Sequence, residues 1–339
     1  MDYQNPNYSP YGNSNGGTWD QGGENRNLNY EKQTLKEIRR CFSRVGLVYS
    51  FYLIIAPLSQ LAIMTILMVT GIASHMDDGI YMLAGILSMY PIGVPLTAFF
   101  TRWIPKRGNV GQESWSFGKL CGILVVAMGV LYIGNIIGNI LMALAGMVKG
   151  EPILNELNTL VTSMEPWILI AAVVVIAPVM EELVFRKFLL DRIAGYGDWT
   201  AMLVSGFLFG IAHGNFFQFF YAFGLGVIFS YIYLRTGKIA YTMGFHMLIN
   251  FWGSVMPLGL LKVIEKNVLL GGLMSLGNIM MMLGFIICAV ILLAVCWKDL
   301  FFLPAGDQVK GKKRAAAVFG NLGMILFLIC GIVLFVYSF

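Results

Sequence analysis

The sequence predicts an all-α fold, a polytopic transmembrane helix bundle of about nine spans with the N-terminus inside and the C-terminus outside. Three observations predict it. Hydrophobic residues make up 58% of the 339 and charged residues 12%, against roughly 25% charged in an ordinary soluble domain, so most of the chain has no aqueous surface to cover. Apolar runs of about 20 residues, long enough to cross a bilayer, recur between short charged or Gly/Pro-marked breaks. When these runs alternate across the membrane, all of the 23 Lys and Arg residues except Lys149, Lys262 and Lys266 fall on one side, as the positive-inside rule expects of the cytoplasmic face. The net charge of +5 is therefore read as topology and not as affinity for nucleic acid. The chain is expected to be a multi-pass integral protein of the cell membrane with a cytoplasmic N-terminus and lipid as its neighbour.

Residues 1–35 open with a stretch rich in Asn, Gly, Tyr, Ser and Pro. That composition buries too little apolar surface to fold alone and reads as a disordered cytoplasmic tail, not a signal peptide. Residues 36–150 hold N-terminal transmembrane helices, with spans expected at 45–73, 80–100 and 120–147. Residues 151–260 form a core with spans at 167–190, 199–212, 217–234 and 239–257, entered through a polar-apolar connector at 151–164 that reads as interfacial. Residues 261–339 add C-terminal spans at 269–295 and 315–339. Gly206 with Gly210, and Gly134 with Gly138, have the spacing that lets helices approach closely, for packing within the bundle or, as the alternative, for dimerisation. The Met-rich run 274–282 reads as lipid-facing or packed bulk, because no His or Cys interleaves it. The five cysteines show no CxxC and imply no disulfide framework.

Ionisable groups inside apolar spans cost roughly 2.5 to 3.5 kcal/mol each on insertion scales, so they need a reason. They concentrate in one place. The run APVMEELVFRKFLLDR carries Glu181, Glu182 and Arg186 within the fourth span. Glu182 and Arg186 are four apart and share a helix face, which suits an ion pair that holds the backbone, whereas Glu181 points about 100° away and is left for chemistry. Of the three histidines, His213 and His246 lie in spans, and His75 sits in an outer loop beside Asp77 and Asp78 as a solvated side chain. Phe209 is four before His213 and can fix its ring, and Asn250 is four after His246 on the same face.

Such a set suits a hydrolase: a desolvated Glu181 as general base toward water, His213 to orient that water, and His246 with Asn250 as hydrogen-bond donors to an oxyanion. The same residues admit a second reading, in which Glu181, His213 and His246 ligate a catalytic Zn2+ with an open water position. The residue pattern leaves both open, and the lack of an HExxH helix leans toward the first.

EELVFR at 181–186, FGIAH at 209–213 and HMLIN at 246–250 resemble the EExxxR, FxxxH and HxxxN motifs of the CAAX protease and bacteriocin-processing family, the CPBP or Abi family of intramembrane proteases. The resemblance covers residues from about 164 to 255 and no departure from the three motifs is visible. It implies transmembrane helices around a cavity, with Glu181 as catalytic base, His213 assisting it, and His246 with Asn250 stabilising a tetrahedral intermediate. It implies a CAAX-type intramembrane endopeptidase, with members often labelled metalloproteases, acting on a peptide or a lipidated-protein substrate. Because other members serve bacteriocin self-immunity or act as scaffolds, a non-hydrolytic membrane scaffold or self-immunity protein is the alternative. A proton-coupled transporter is a weaker third reading, since no inverted repeat is visible. Oligomeric state is not legible.

Overall fold

The computed structural model describes residues 21–155 and 164–338. All elements among the described residues are helical. In chain order they are α1 (Gln21–Val69), α2 (Asp78–Leu87), α3 (Tyr90–Thr101), α4 (Phe117–Lys149) and α5 (Pro166–Tyr196). There follow α6 (Asp198–Ala212), α7 (Phe216–Thr236), α8 (Ile239–Lys266), α9 (Val268–Cys296), α10 (Gly311–Phe319) and α11 (Leu322–Tyr337).

Among the described residues, seven helical stretches are long and apolar enough to cross a membrane, or eight if α10 and α11, bent by 67° at their junction, count as one. The expectation of nine is corrected at residues 199–212. With 15 residues, α6 is roughly 22 Å long at about 1.5 Å per residue, short of a hydrocarbon layer of about 30 Å. It pairs with α7 as a hairpin.

A second correction concerns the N-terminal tail. Residues 1–20 lie outside the described residues, as do 156–163 of the expected interfacial connector, but α1 already begins at Gln21. Ile38, Cys41, Phe42 and Val45 recur at i, i+3, i+4 and i+7 and all are buried, so the charged stretch before the first span carries a packed stripe.

The bundle has one basic end. There the loop after α3 bonds the end of α5 (Arg107 N to Arg192 O, 2.9 Å), the same loop bonds the end of α7 (Gly111 N to Leu234 O, 2.6 Å), and the start of α6 bonds the segment after α9 (Asp198 N to Leu303 O, 3.0 Å). Buried Arg235 ties these loops together, 3.2 Å from Asp198 and 3.6 Å from Glu113.

Helix α7 runs through the centre. More than half of its apolar window (56%) is buried, against 6% for α8 and for α9, so α7 is a core helix and the other two offer most of their surface to lipid. The Met-rich run follows α9 outward, with Met274 and Met280 exposed. Close glycine contacts fit α6 and α4 onto α7. A Cβ on Gly226 would stand 2.7 Å from Gly206 Cα, and one on Gly134 would stand 2.5 Å from Tyr221 Cα. The small-residue spacings therefore serve packing within this chain.

Gly206→Leu should lower the thermal midpoint of the detergent-purified protein, at an overpacking cost of about 1 to 3 kcal/mol, because even its Cβ would meet Phe223 O at 2.9 Å. Gly272→Ala, on α9 with nothing within 4 Å, should leave the midpoint unchanged or raise it.

Candidate active site

Helix α5 is not a uniform α-helix. It widens into π-helical turns at Ile170–Ile176 and again at Leu183–Phe188, with Ala177–Glu182 as the α-helical piece between them. A third wide stretch, Phe251–Val255, follows Asn250 directly in α8. A π turn shifts the backbone ladder by one residue and loosens carbonyls from their usual partners, and such turns concentrate at functional sites. Here three carbonyls of the wide turns each accept a hydrogen bond from another helix. Val173 O takes Asn250 Nδ2 (2.9 Å), Val184 O takes Tyr49 Oη (2.6 Å) and Phe185 O takes Ser205 Oγ (2.8 Å). These bonds pin α5 to α8, α1 and α6 around the two glutamates.

Glu182 and Arg186 are fully buried, with Arg186 Nε 3.1 Å from Glu182 Oε2, as their spacing predicts. The guanidinium lies over the rings of Phe209 (4.4 Å) and Phe229 (5.4 Å) as two cation–π contacts, and its Nη atoms are buried without a hydrogen-bond partner among the described residues. The other Glu182 oxygen, Oε1, receives His246 Nδ1 at 3.0 Å. Glu182 thus joins two elements, its own helix through Arg186 and α8 through His246.

Glu181 is different. Its side chain keeps 22% of its surface open, and Oε2 stands 3.7 Å from His246 Nε2, too long for a direct hydrogen bond. Tyr52 of α1, Tyr90 at the start of α3 and Tyr221 of α7 are all close enough to feel its charge. These tyrosines escaped sequence reasoning, since they come from three separate spans and share no motif with the core.

His213 sits at the C-terminal end of α6, where Gly214 adopts φ +68° and turns the chain into α7. Only a left-handed residue makes this turn at little cost, hence glycine. Asn215 then caps α7 through Gln218 N (3.0 Å) and donates to His213 O (2.8 Å), fixing the turn. The ring folds back so that Nδ1 meets Phe209 O at 2.8 Å. A carbonyl only accepts, so Nδ1 carries the proton and Nε2 keeps a lone pair. Phe209 packs edge-on against both imidazoles, at 4.7 Å from His213 and 5.7 Å from His246, so both rings share one wall, and His213 is near enough to interact with the charges of Glu181 and His246.

Five of the six residues singled out in the sequence, Glu181, Glu182, Arg186, His213 and His246, thus converge. Of the two amide N–H groups of Asn250, one is given to Val173 O, so part of its role is to position α8 against α5, and one N–H is left for a second acceptor. His246 likewise has one nitrogen committed to Glu182 and only Nε2 turned toward Glu181. His75 is exposed. Among the described residues no group of three His, Cys, Asp or Glu side chains is placed to hold a metal ion. The donor geometry therefore does not gather Glu181, His213 and His246 into a zinc set.

Comparison with known proteins bears on the same segment. Residues 163–252 match the family described as type II CAAX prenyl endopeptidase Rce1-like. Over this core the chain is similar to that family. The match contains all six residues, and the CPBP-family resemblance read from the three motifs holds over it. The curated membrane-embedded CAAX protease MroQ of Staphylococcus aureus (strain USA300) is 37% identical over 92 residues, which cover 24% of this chain and 36% of the relative. No solved structure matches. The matched segment runs from α5 to the first half of α8, while α1, α3 and α4 pack around it from outside the match.

Removing one partner of the buried pair should cost far more than removing both. Arg186→Met leaves Glu182 charged in an apolar core, an expected loss of about 3 to 5 kcal/mol, seen as collapse of the thermal midpoint or of membrane-inserted yield. Glu182→Gln combined with Arg186→Met should recover most of that stability.

Proposed function

We propose that the chain is an intramembrane endopeptidase that hydrolyses a peptide bond in a membrane-associated or lipidated protein, or in a small peptide, with water activated by Glu181. The observation that carries this reading is the juxtaposition of a partly open carboxylate, Glu181, with a second carboxylate 3.0 Å from the same imidazole that is fully buried and already paired. Environment pushes two adjacent glutamates into two roles. The Rce1-like match of the core and the partial likeness to a CAAX protease support it.

In this reading a water lies between Glu181 and the two imidazoles. Glu181 accepts one of its protons and His213 Nε2 the other, which turns an oxygen lone pair toward the scissile carbonyl. His246 donates Nδ1–H to Glu182 and, when Nε2 also carries a proton, Nε2–H to the oxygen that gains charge as water attacks. Glu181 passes its proton to the departing amine, and product separation restores the site. Nothing in this sequence of steps needs a metal.

With the basic end cytoplasmic, the N-terminus is cytoplasmic too. Glu181 lies about four helical turns, roughly 22 Å, from Tyr196 at that end, so the bond to be cut is reached within the hydrocarbon layer. A non-hydrolytic scaffold or self-immunity protein is the second reading. It draws on the contacts of Glu182, Arg186, His246 and Asn250, which join α5 to α8 without any substrate.

In reconstituted vesicles, Glu181→Gln and His213→Ala should each reduce cleavage of a membrane peptide by about 10²-fold or more while leaving the thermal midpoint within about 1 kcal/mol of the parent. Prolonged chelation with 1,10-phenanthroline should leave the parent's rate unchanged. Full activity in Glu181→Gln would end the protease reading, and loss of activity on chelation, restored by Zn2+, would replace activated water with a metal.

A further inference from the structure

At the basic end, outside the Rce1-like core's reacting groups, α1 and the loop after α3 enclose a pocket of about 440 Å³ lined by Glu37, Arg40, Cys41, Arg44, Lys106 and Arg107, among others. Four cations face one carboxylate there. Two of the cations are fixed in place. Arg44 Nη1 donates to Trp103 O at 2.8 Å, and Arg107 lies 4.6 Å over the Tyr196 ring with its backbone bonded to Arg192 O and Gly195 N. Arg107 has Asp307 at 3.6 Å, but that carboxylate also serves Arg314. Arg40 and Lys106 are exposed and form no ion pair among the described residues. A pocket that holds unneutralised cations on a rigid floor is built for an anion.

What adjoins it identifies the kind of anion. Phe99, Phe100 and Trp103 stack edge to face, at 5.4 and 4.7 Å in succession, and Phe99 and Trp103 are exposed. Exposed aromatic rings beside cations mark the level where a bundle meets lipid headgroups. Lys106 also lines a neighbouring groove of about 330 Å³ with Arg102, Arg192 and the Lys187–Asp191 ion pair (2.8 Å). A free phosphate would have no use for the aromatic shelf, and an acidic peptide would not need one at bilayer depth.

We propose that this pocket is a binding site for an anionic phospholipid, with the phosphate between Arg40, Arg44, Lys106 and Arg107 and an acyl chain along Phe99 and Trp103. The site would clamp the Glu37–Arg44 stretch of α1 to the loop that is bonded to the end of α5, the helix that carries Glu181.

The test is native mass spectrometry of the delipidated full chain titrated with phosphatidylglycerol, with phosphatidylcholine, and with phosphatidylglycerol in the presence of excess inorganic phosphate. Retention should be selective for phosphatidylglycerol and insensitive to inorganic phosphate. Each cation beside an anionic bilayer surface is worth about fivefold in affinity, so Arg40→Gln with Lys106→Gln should lose roughly 25-fold. Lys310→Gln with Lys312→Gln removes the same charge from exposed positions of α10 and its approach and should bind as the parent does. Equal losses in both double variants would overturn the proposal in favour of a diffuse field. Equal retention of phosphatidylcholine, or displacement by inorganic phosphate, would overturn it as well. Circular dichroism of both variants guards against misfolding, and Lys106→Gln alone, exposed and unpaired, keeps the question answerable if the double variant fails to fold.

Discussion

Glu182 is the residue on which the rest of the site depends. Its carboxylate is removed from water, and such a group is tolerable only if both oxygens meet strong donors. Arg186 answers one oxygen and His246 the other. The consequence is geometric: the ion pair fixes α5 where it is widest, and the imidazole draws α8 against it. Glu181, one residue earlier, is then turned to the open side, toward His246 Nε2 and within range of His213. Reversing the roles of the two glutamates would leave a charged Glu181 without Arg186 and an open Glu182 facing away from His213.

The wide turns of α5 make this arrangement compatible with a hydrogen-bonded backbone. A helix in lipid must satisfy its own carbonyls, and a π turn puts some of them out of register. In this chain the strain is taken up by side chains of Tyr49, Ser205 and Asn250 from three other helices. The helices outside the Rce1-like match are thus not mere lipid filling, since α1 supplies Tyr49 to the backbone of α5 and Tyr52 to the neighbourhood of Glu181.

The sequence showed the lipid-embedded architecture, the Glu182–Arg186 pair and the Phe209–His213 contact, because hydropathy and i,i+4 spacing act locally on the chain. It also showed the glycine faces of α4 and α6, though not which helix they meet. Hidden from it were the π turns, which are one-residue changes of register with no composition of their own. The bond from Asn250 to Val173 O was hidden for the same reason, since that carbonyl lies in a wide turn of α5. The reach of α6 was overestimated, since an apolar stretch of that length reads as a short span until its pairing with α7 is seen. The three tyrosines near Glu181 and the partner of His246 across two helices required the tertiary fold.

The division of labour between the two glutamates can be measured without substrate. Solid-state ¹⁵N NMR of the histidine-labelled protein in lipid reads both nitrogens of His246. The account predicts a protonated, hydrogen-bonded Nδ1 whose resonance moves in Glu182→Gln and stays put in Glu181→Gln, with Nε2 responding to Glu181→Gln. An Nδ1 resonance indifferent to Glu182→Gln would contradict it.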